Sequence, residues 1–221
     1  MRVLILADIH GSAKAIHLLA DEAAACQGVV LAGDITHFGG PDELAPILAA
    51  VEAFGKPIFA VPGNCDLTAV DHILQQRQHS VHANVKMLGG FAFLGAGGSL
   101  PCPGTTPNES GESVFQDILD AAATLTEQKP MILVTHQPAW NTALDTTYDG
   151  RHTGSRAIRD FIEKHRPLLA VSGHMHEAVG IDTLGPTTLV NPGPFRHGCY
   201  AVAELALDTV QVKLLQLKVK N

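Results

Sequence analysis

Five short apolar runs each end on a residue with metal-ligating chemistry, and the spacing between runs leaves room for a helix. Val3 to Ala7, Val29 to Ala32 and Pro57 to Val61 are the first three, separated by a helical stretch from Ala13 and another from Pro41. This βαβαβ rhythm predicts parallel strands with helices packed on their faces. In the second helix Leu44, Ile47, Leu48, Val51 and Phe54 recur at helical spacing, with Pro41 suited to its first turn and Gly55 to its end. Further on, Val85 to Leu88 and Phe91 to Leu94 flank Gly89-Gly90, a connection that closes a hairpin, so antiparallel pairing enters there. A Gly- and Pro-rich stretch from Gly95 to Gly111 predicts a long surface loop. A helix from Glu112 to Glu127, a strand from Met131 to Thr135, a helix over Gly154 to His165 and a strand from Leu168 to Ser172 follow. Thr187 to Val190, Tyr200 to Leu207 and Val210 to Leu217 read as closing strands. The fold class is α/β: two mixed sheets face to face, with helices outside, satisfy every apolar face.

With 221 residues and no linker-like segment, one domain over 1–221 is expected. The formal charge of -7, with no basic run beyond Lys218-Val219-Lys220, argues against a nucleic-acid binder, although bound cations can reverse the local field for a small phosphate compound. The apolar run after Met1-Arg2 is too short for a signal-peptide core and no segment reaches membrane-spanning length, so neither export nor a membrane is expected. Cys26, Cys65, Cys102 and Cys199 are scattered without a CxxC pair, which fits free thiols in the cytoplasm.

The polar segments are Asp8-Ile9-His10, Gly33-Asp34, Gly63-Asn64-Cys65-Asp66, His136 and Gly173-His174-Met175-His176. Side chains that follow parallel strands project at the carboxyl edge of the sheet, where several such ends build one site. Asp8 and His10, two apart, point to the same side in extended backbone and can grip one ion, and His174 with His176 repeats that spacing. Glycine at 33, 63 and 173 permits close backbone approach before each ligand. Carboxylate, amide oxygen and imidazole suit divalent ions such as Mn²⁺, Fe²⁺ or Zn²⁺, and Asp34 is the carboxylate placed to bridge a pair roughly 4 Å apart.

From Asp8 to His176 the chain resembles the calcineurin-like metallophosphoesterase family, whose pattern runs Asp-x-His, Gly-Asp, Gly-Asn-His, a lone His, then Gly-His-x-His. The resemblance implies a four-layer αββα sandwich. It also implies that Asp8, His10 and His176 hold one ion, that Asn64, His136 and His174 hold the other, and that Asp34 bridges them. Two positions depart from the pattern. His37 stands where an acidic residue usually follows Asp34, which predicts looser support there, and Cys65 replaces the histidine thought to contact phosphate and assist the leaving group. Gly-Asn-Cys-Asp is similar to a prokaryotic branch of the family, as are His136-Gln137-Pro138, Gly150 to Arg156 and Asn191-Pro192-Gly193-Pro194.

For Cys65 a packed apolar role and a reactive thiol are both open. His152, just before the helix near Gly154, is a candidate for phosphate contact or proton donation in place of the missing histidine, with backbone N–H groups of the helix start adding an anion preference. Trp140 and Phe38 can wall the cleft, and His72, His79 and His82 read as solvated. The expected activity is hydrolysis of a small phosphodiester, or second a phosphomonoester, by a hydroxide bridging two divalent ions. Mn is expected first, with Fe, Zn, Ni or Mg as alternatives. Asn64 and His152 are the expected substrate contacts, and a homo-oligomer is open. The competing expectation is an inactive scaffold of the same fold that binds a protein partner.

Overall fold

The computed structural model describes residues 1–126 and 130–217. Glu127, the expected end of one helix, and Lys218-Val219-Lys220 lie outside the described residues. The first half runs β1 (Arg2–Leu6), α1 (Ala20–Ala24), β2 (Gly28–Ala32), α2 (Pro41–Glu52), β3 (Ile58–Val61) and α3 (Thr68–Gln76). Then come β4 (Val85–Leu88), β5 (Phe91–Ala96), α4 (Glu112–Ala123), β6 (Met131–Thr135), α5 (Arg156–His165) and β7 (Leu169–Val171). The chain closes with β8 (Gly180–Leu184), β9 (Thr187–Asn191), β10 (Cys199–Leu205) and β11 (Val210–Gln216).

One sheet has the order β11-β10-β1-β2-β3 and the other β4-β5-β6-β7-β9-β8. β1, β2 and β3 are mutually parallel, as are β5, β6, β7 and β9, while β10, β11, β4 and β8 add antiparallel pairs. Alternation along β1 divides its side chains between two cores. Val3 and Ile5 face the second sheet, meeting Phe93, Ile132, Val134 and Val171 in the central layer. Leu4 and Leu6 face outward onto Leu44, Ile47, Leu48 and Val51 of α2 and Val70 and Leu74 of α3. On the far side Leu94, Leu133 and Leu189 pack under Phe115 and Leu119 of α4 and Ile158, Phe161 and Ile162 of α5. Helix, sheet, sheet and helix give the four layers expected.

Several local expectations change. The segment from Ala13 is a 3₁₀ helix to Leu19 before it becomes α1. α3 and β8 had no counterpart in the periodicity: α3 is short and mostly polar outside Val70, Ile73 and Leu74, and β8 alternates only partly buried residues at a sheet edge. Gly95 and Ala96 belong to β5, so the long loop begins after them. His79 and His82 are not simply solvated. The His79 ring bonds the Glu52 carboxylate at 2.8 Å, and His82 Nδ1 accepts the Gly97 N–H at 2.9 Å, because α2, α3 and β5 close over them.

Candidate metal centre

Five parallel strands, β1, β2, β3, β6 and β7, run toward one end of the sandwich, and Asp8, Asp34, Asn64, His136 and His174 follow them within three residues. The backbone there is turned, not extended. Asp8, His10, Asp34 and His174 have φ of 53°, 44°, 47° and 68°, a left-handed region that bends the chain back over the sheet edge. Asp8 and His10 do meet in one group, but through turned and not extended backbone, and the expected pairing of His174 with His176 is corrected. His174 and His176 in particular face different partners.

His10 Nε2 and His176 Nε2 lie 3.3 Å apart, and His176 Nε2 is 3.3 Å from Asp8 Oδ1. Ligands sharing one ion with bonds of about 2.1 Å sit roughly 3.4 Å from each other in tetrahedral geometry, so these donors already stand close to coordination spacing. On the other flank Asn64 Oδ1 lies 2.8 Å from His174 Nδ1 and 2.9 Å from His136 Nε2. Asp34 stands between the flanks: its Oδ2 is 3.6 Å from His10 Nε2 and its Oδ1 is 3.4 Å from His136 Nε2. Asp8, His10 and His176 have ligand atoms within 4.8 Å of one another, and so do Asp8, Asp34 and His136. Two sequestered carboxylates amid facing imidazoles, without a lysine among them, are the donor set that fits divalent cations.

Each donor is held by something behind it. The His174 N–H points at both Asp8 oxygens, 3.2 Å each, and the Cys65 N–H donates to Asp34 Oδ1 at 2.8 Å. His136 Nδ1 bonds the Ala32 carbonyl at 2.9 Å, leaving Nε2 for the centre. Asn64 Nδ2 donates to Thr106 Oγ1 at 3.2 Å, which turns the amide oxygen inward. Gly63 is needed for proximity: a Cβ there would sit 2.1 Å from the Asp34 backbone nitrogen.

Burial lowers His10 to about 4 against the pull of Asp34 and Asp8, and lowers His174 to about 4 with help from the neighbouring His136. Burial opposes charge on both Asp34 and His136, but their mutual attraction and hydrogen bond win, holding Asp34 well below the carboxylate range and His136 above the imidazole range. Lone pairs for cations are thus available on His10 and His174 near neutrality. Burial, then the Asp34 charge, pushes the Cys65 thiol upward; it is 7% exposed, as a packed neutral residue would be.

Support for the Asp34 turn does not come from position 37. It comes from Asp66, which accepts from Ile35 N at 3.1 Å, Thr36 N at 2.7 Å, Thr36 Oγ1 at 2.7 Å and Gly63 N at 2.7 Å. The predicted loosening beside His37 is therefore absent, and burial with the charge of Asp34 raises Asp66 to about 6. Asn191 likewise holds the His174–His176 turn by donating to the Met175 and Ala178 carbonyls at 2.8 and 3.1 Å.

His152 lies outside these donor groups. Its Nδ1 is 2.7 Å from Asp145 Oδ1, a buried carboxylate that also accepts from Asn141 N, Thr142 N and Gly154 N at 3.0, 2.9 and 2.9 Å. The next residue, Thr153, touches Met175 Sδ at 3.5 Å, so the loop abuts the turn between His174 and His176. The expected anion preference of the α5 start is corrected. Its Arg156 and Ala157 N–H groups already donate to Glu112 at 2.9 and 3.0 Å, and Ser155 Oγ caps Ile158 N at 3.2 Å. Sequence reasoning missed Asp145, which closes a capping box with Thr142 and also reaches His152 and Gly154, and Glu112, whose partners lie at the start of α5. Trp140 carries the Arg156 guanidinium 3.7 Å over its ring, and Phe38 is 48% exposed beside His37.

A two-sheet sandwich carries carboxylates, an amide oxygen and imidazoles gathered at its parallel strand ends, a candidate site for divalent cations. Residues 1–178 match the calcineurin-like phosphoesterase family, and the chain belongs to that family. Uncharacterized protein MJ1162 of Methanocaldococcus jannaschii is 33% identical over 206 residues, covering 90% of this chain and 91% of the relative. The crystal structure of TT1561 from Thermus thermophilus superposes with a TM-score of 0.77 at 19% identity, over 96% of this chain and 97% of the other. Purple acid phosphatase PPD1 of yellow lupin shares the fold with a TM-score of 0.62 at 14% identity, over 98% of this chain and 51% of its own. Among the described residues no helix is long and apolar enough to cross a membrane.

Proposed function

We propose that the protein is a dinuclear metal-dependent phosphoesterase acting on a small phosphate ester, a diester in preference to a monoester. Asp8, His10 and His176 would hold one cation and Asn64, His136 and His174 the other, with Asp34 placed between them. When bound, the two ions neutralise phosphoryl charge and make hydroxide available from water near neutral pH for in-line attack on phosphorus. The observation that carries this reading is Asp34: its two oxygens face opposite donor clusters, 3.6 Å from His10 Nε2 and 3.4 Å from His136 Nε2. A complete set of seven donors speaks against the scaffold alternative.

The chain's own residues have separate tasks. Asp145 fixes the His152 ring through Nδ1 and leaves Nε2 to contact phosphate or deliver a proton to the leaving oxygen. Cys65, buried and neutral beside Asp34, contributes no proton at the position it occupies. Proton delivery then rests on His152 alone, so leaving groups that need less proton help are favoured, which is the ground for preferring diesters. Manganese is the first cation to test.

Purified protein reconstituted with Mn²⁺ is to be assayed on aryl phosphodiesters, aryl phosphomonoesters, nucleotides and cyclic nucleotides, with metal content measured alongside. Two ions per chain and turnover that chelation abolishes are expected. Well under one ion per chain with no turnover overturns the reading, and monoester rates far above every diester rate overturn the preference.

A further inference from the structure

The two positions that depart from the family pattern, His37 and Cys65, meet in space. With His10 they form a cluster in which one ligand atom from each residue lies within 4.8 Å of the other two. His10 uses the other side of its ring here: its Nδ1 faces His37 Nδ1 at 3.2 Å, with the ring planes at 77°. We propose that Cys65 Sγ, His37 Nδ1 and His10 Nδ1 form a separate site for a thiophilic divalent cation, Zn²⁺ being the type, on the flank of the main centre.

Geometry supports such an ion. Tetrahedral zinc with bonds of about 2.05 Å to nitrogen and 2.3 Å to sulfur holds two nitrogens about 3.3 Å apart and nitrogen and sulfur about 3.6 Å apart. The two Nδ1 atoms are already at that spacing, and Cys65 offers its sulfur within 4.8 Å of a ring nitrogen of each histidine. Chemistry supports it as well, because this cluster contains a thiol and the main centre does not. A thiolate with two imidazoles favours zinc over manganese, and binding expels the thiol proton. The parts are held but reachable: Phe38 N donates to the Cys65 carbonyl at 3.1 Å, His37 N donates to Glu43 at 3.2 Å, and the His37 side chain is exposed.

A consequence follows for His10. A neutral imidazole offers one lone pair, so a cation on Nδ1 leaves the proton on Nε2, the atom that faces Asp8, Asp34 and His176. Zinc at the flank therefore opposes manganese at the main centre. This competition, unlike the flank site itself, rests on the proposed ligand role of His10 Nε2.

The test is titration of the full-length Mn²⁺-loaded protein with Co²⁺, a spectroscopic stand-in for zinc, following near-ultraviolet thiolate-to-cobalt absorption and the electron paramagnetic resonance of released Mn²⁺. One thiolate band per chain, bleached by Zn²⁺, is expected. Cys65→Ser removes it, His37→Ala shifts its midpoint to at least about tenfold higher Co²⁺, and Cys102→Ser and Cys199→Ser keep it. No band in the wild type, a band surviving Cys65→Ser, or a midpoint unmoved by His37→Ala overturns the site. A band without Mn²⁺ release overturns the competition. Failure to load Mn²⁺ before cobalt is added counts against the proposed main centre, and the cobalt band still decides the flank site.

Discussion

Asp66→Ala in the metal-free protein isolates the device that holds Asp34 in place. The carboxylate is fully sequestered and takes three backbone N–H groups, from Ile35, Thr36 and Gly63, plus the Thr36 hydroxyl. Truncation leaves three buried backbone donors without their acceptor, at about 1–2 kcal/mol each, or about 3–6 kcal/mol together. A second effect has the opposite sign. Burial of the charge, with Asp34 beside it, raises the folded pKa from 3.8 to about 6. The folded protein holds this proton more tightly, so the group's contribution is full below pH 3.8 and is lost as pH rises through about 6. That loss amounts to about 3 kcal/mol by neutral pH and is absent from the alanine variant. The penalty measured by urea unfolding, followed by circular dichroism, should therefore be about 3–6 kcal/mol near pH 5 and smaller by about 1 kcal/mol near pH 8, the part of the loss that falls above pH 5. A penalty under about 1 kcal/mol near pH 5, or one that grows with pH, would refute the clamp.

His152→Ala should slow hydrolysis of alkyl phosphate esters by about 10²-fold or more while sparing nitrophenyl esters, whose leaving group needs no proton; equal losses on both would remove the proton-transfer role. Gly63→Ala should displace Asp34, since the added Cβ would lie 2.1 Å from its backbone nitrogen, and calorimetric titration with Mn²⁺ should show at least one site lost. Far from the centre, His79 foremost and then Arg77 lower the pKa of Glu52, tying α2 to the end of α3. A lowered carboxylate stabilises above its unfolded value of 4.5 and loses that contribution as pH falls through the folded value. Glu52→Gln should thus be less stable at neutral pH by about 1 kcal/mol or less, with the gap closing in acid. A gap that persists unchanged in acid would argue against the ion pair.

The alternation of apolar runs with helical periodicity made the layered α/β fold legible, because a buried strand must be apolar and a covering helix must be amphipathic wherever they occur. The candidate donors at 8, 10, 34, 64, 136, 174 and 176 could be picked out for a related reason: chemistry at the end of a parallel strand follows a hydrophobic run in the sequence. Elements without that contrast, α3 and β8, were not visible, since their burial is partial and decided by neighbours.

What lay beyond the sequence were the long-range pairings. Nothing local says that Asp66 reaches 30 residues back to Thr36, that Asp145 holds His152, or that Glu112 already occupies the start of α5. Nor could residue spacing show that His174 and His176 face different partners, because that depends on a left-handed turn at His174. Residue types and their order determined which atoms are available to bind a cation. Only tertiary packing decided which of them meet, because donors far apart in the chain converge where two sheets and their loops close on one edge, and that convergence also brought Cys65 and His37 together on His10.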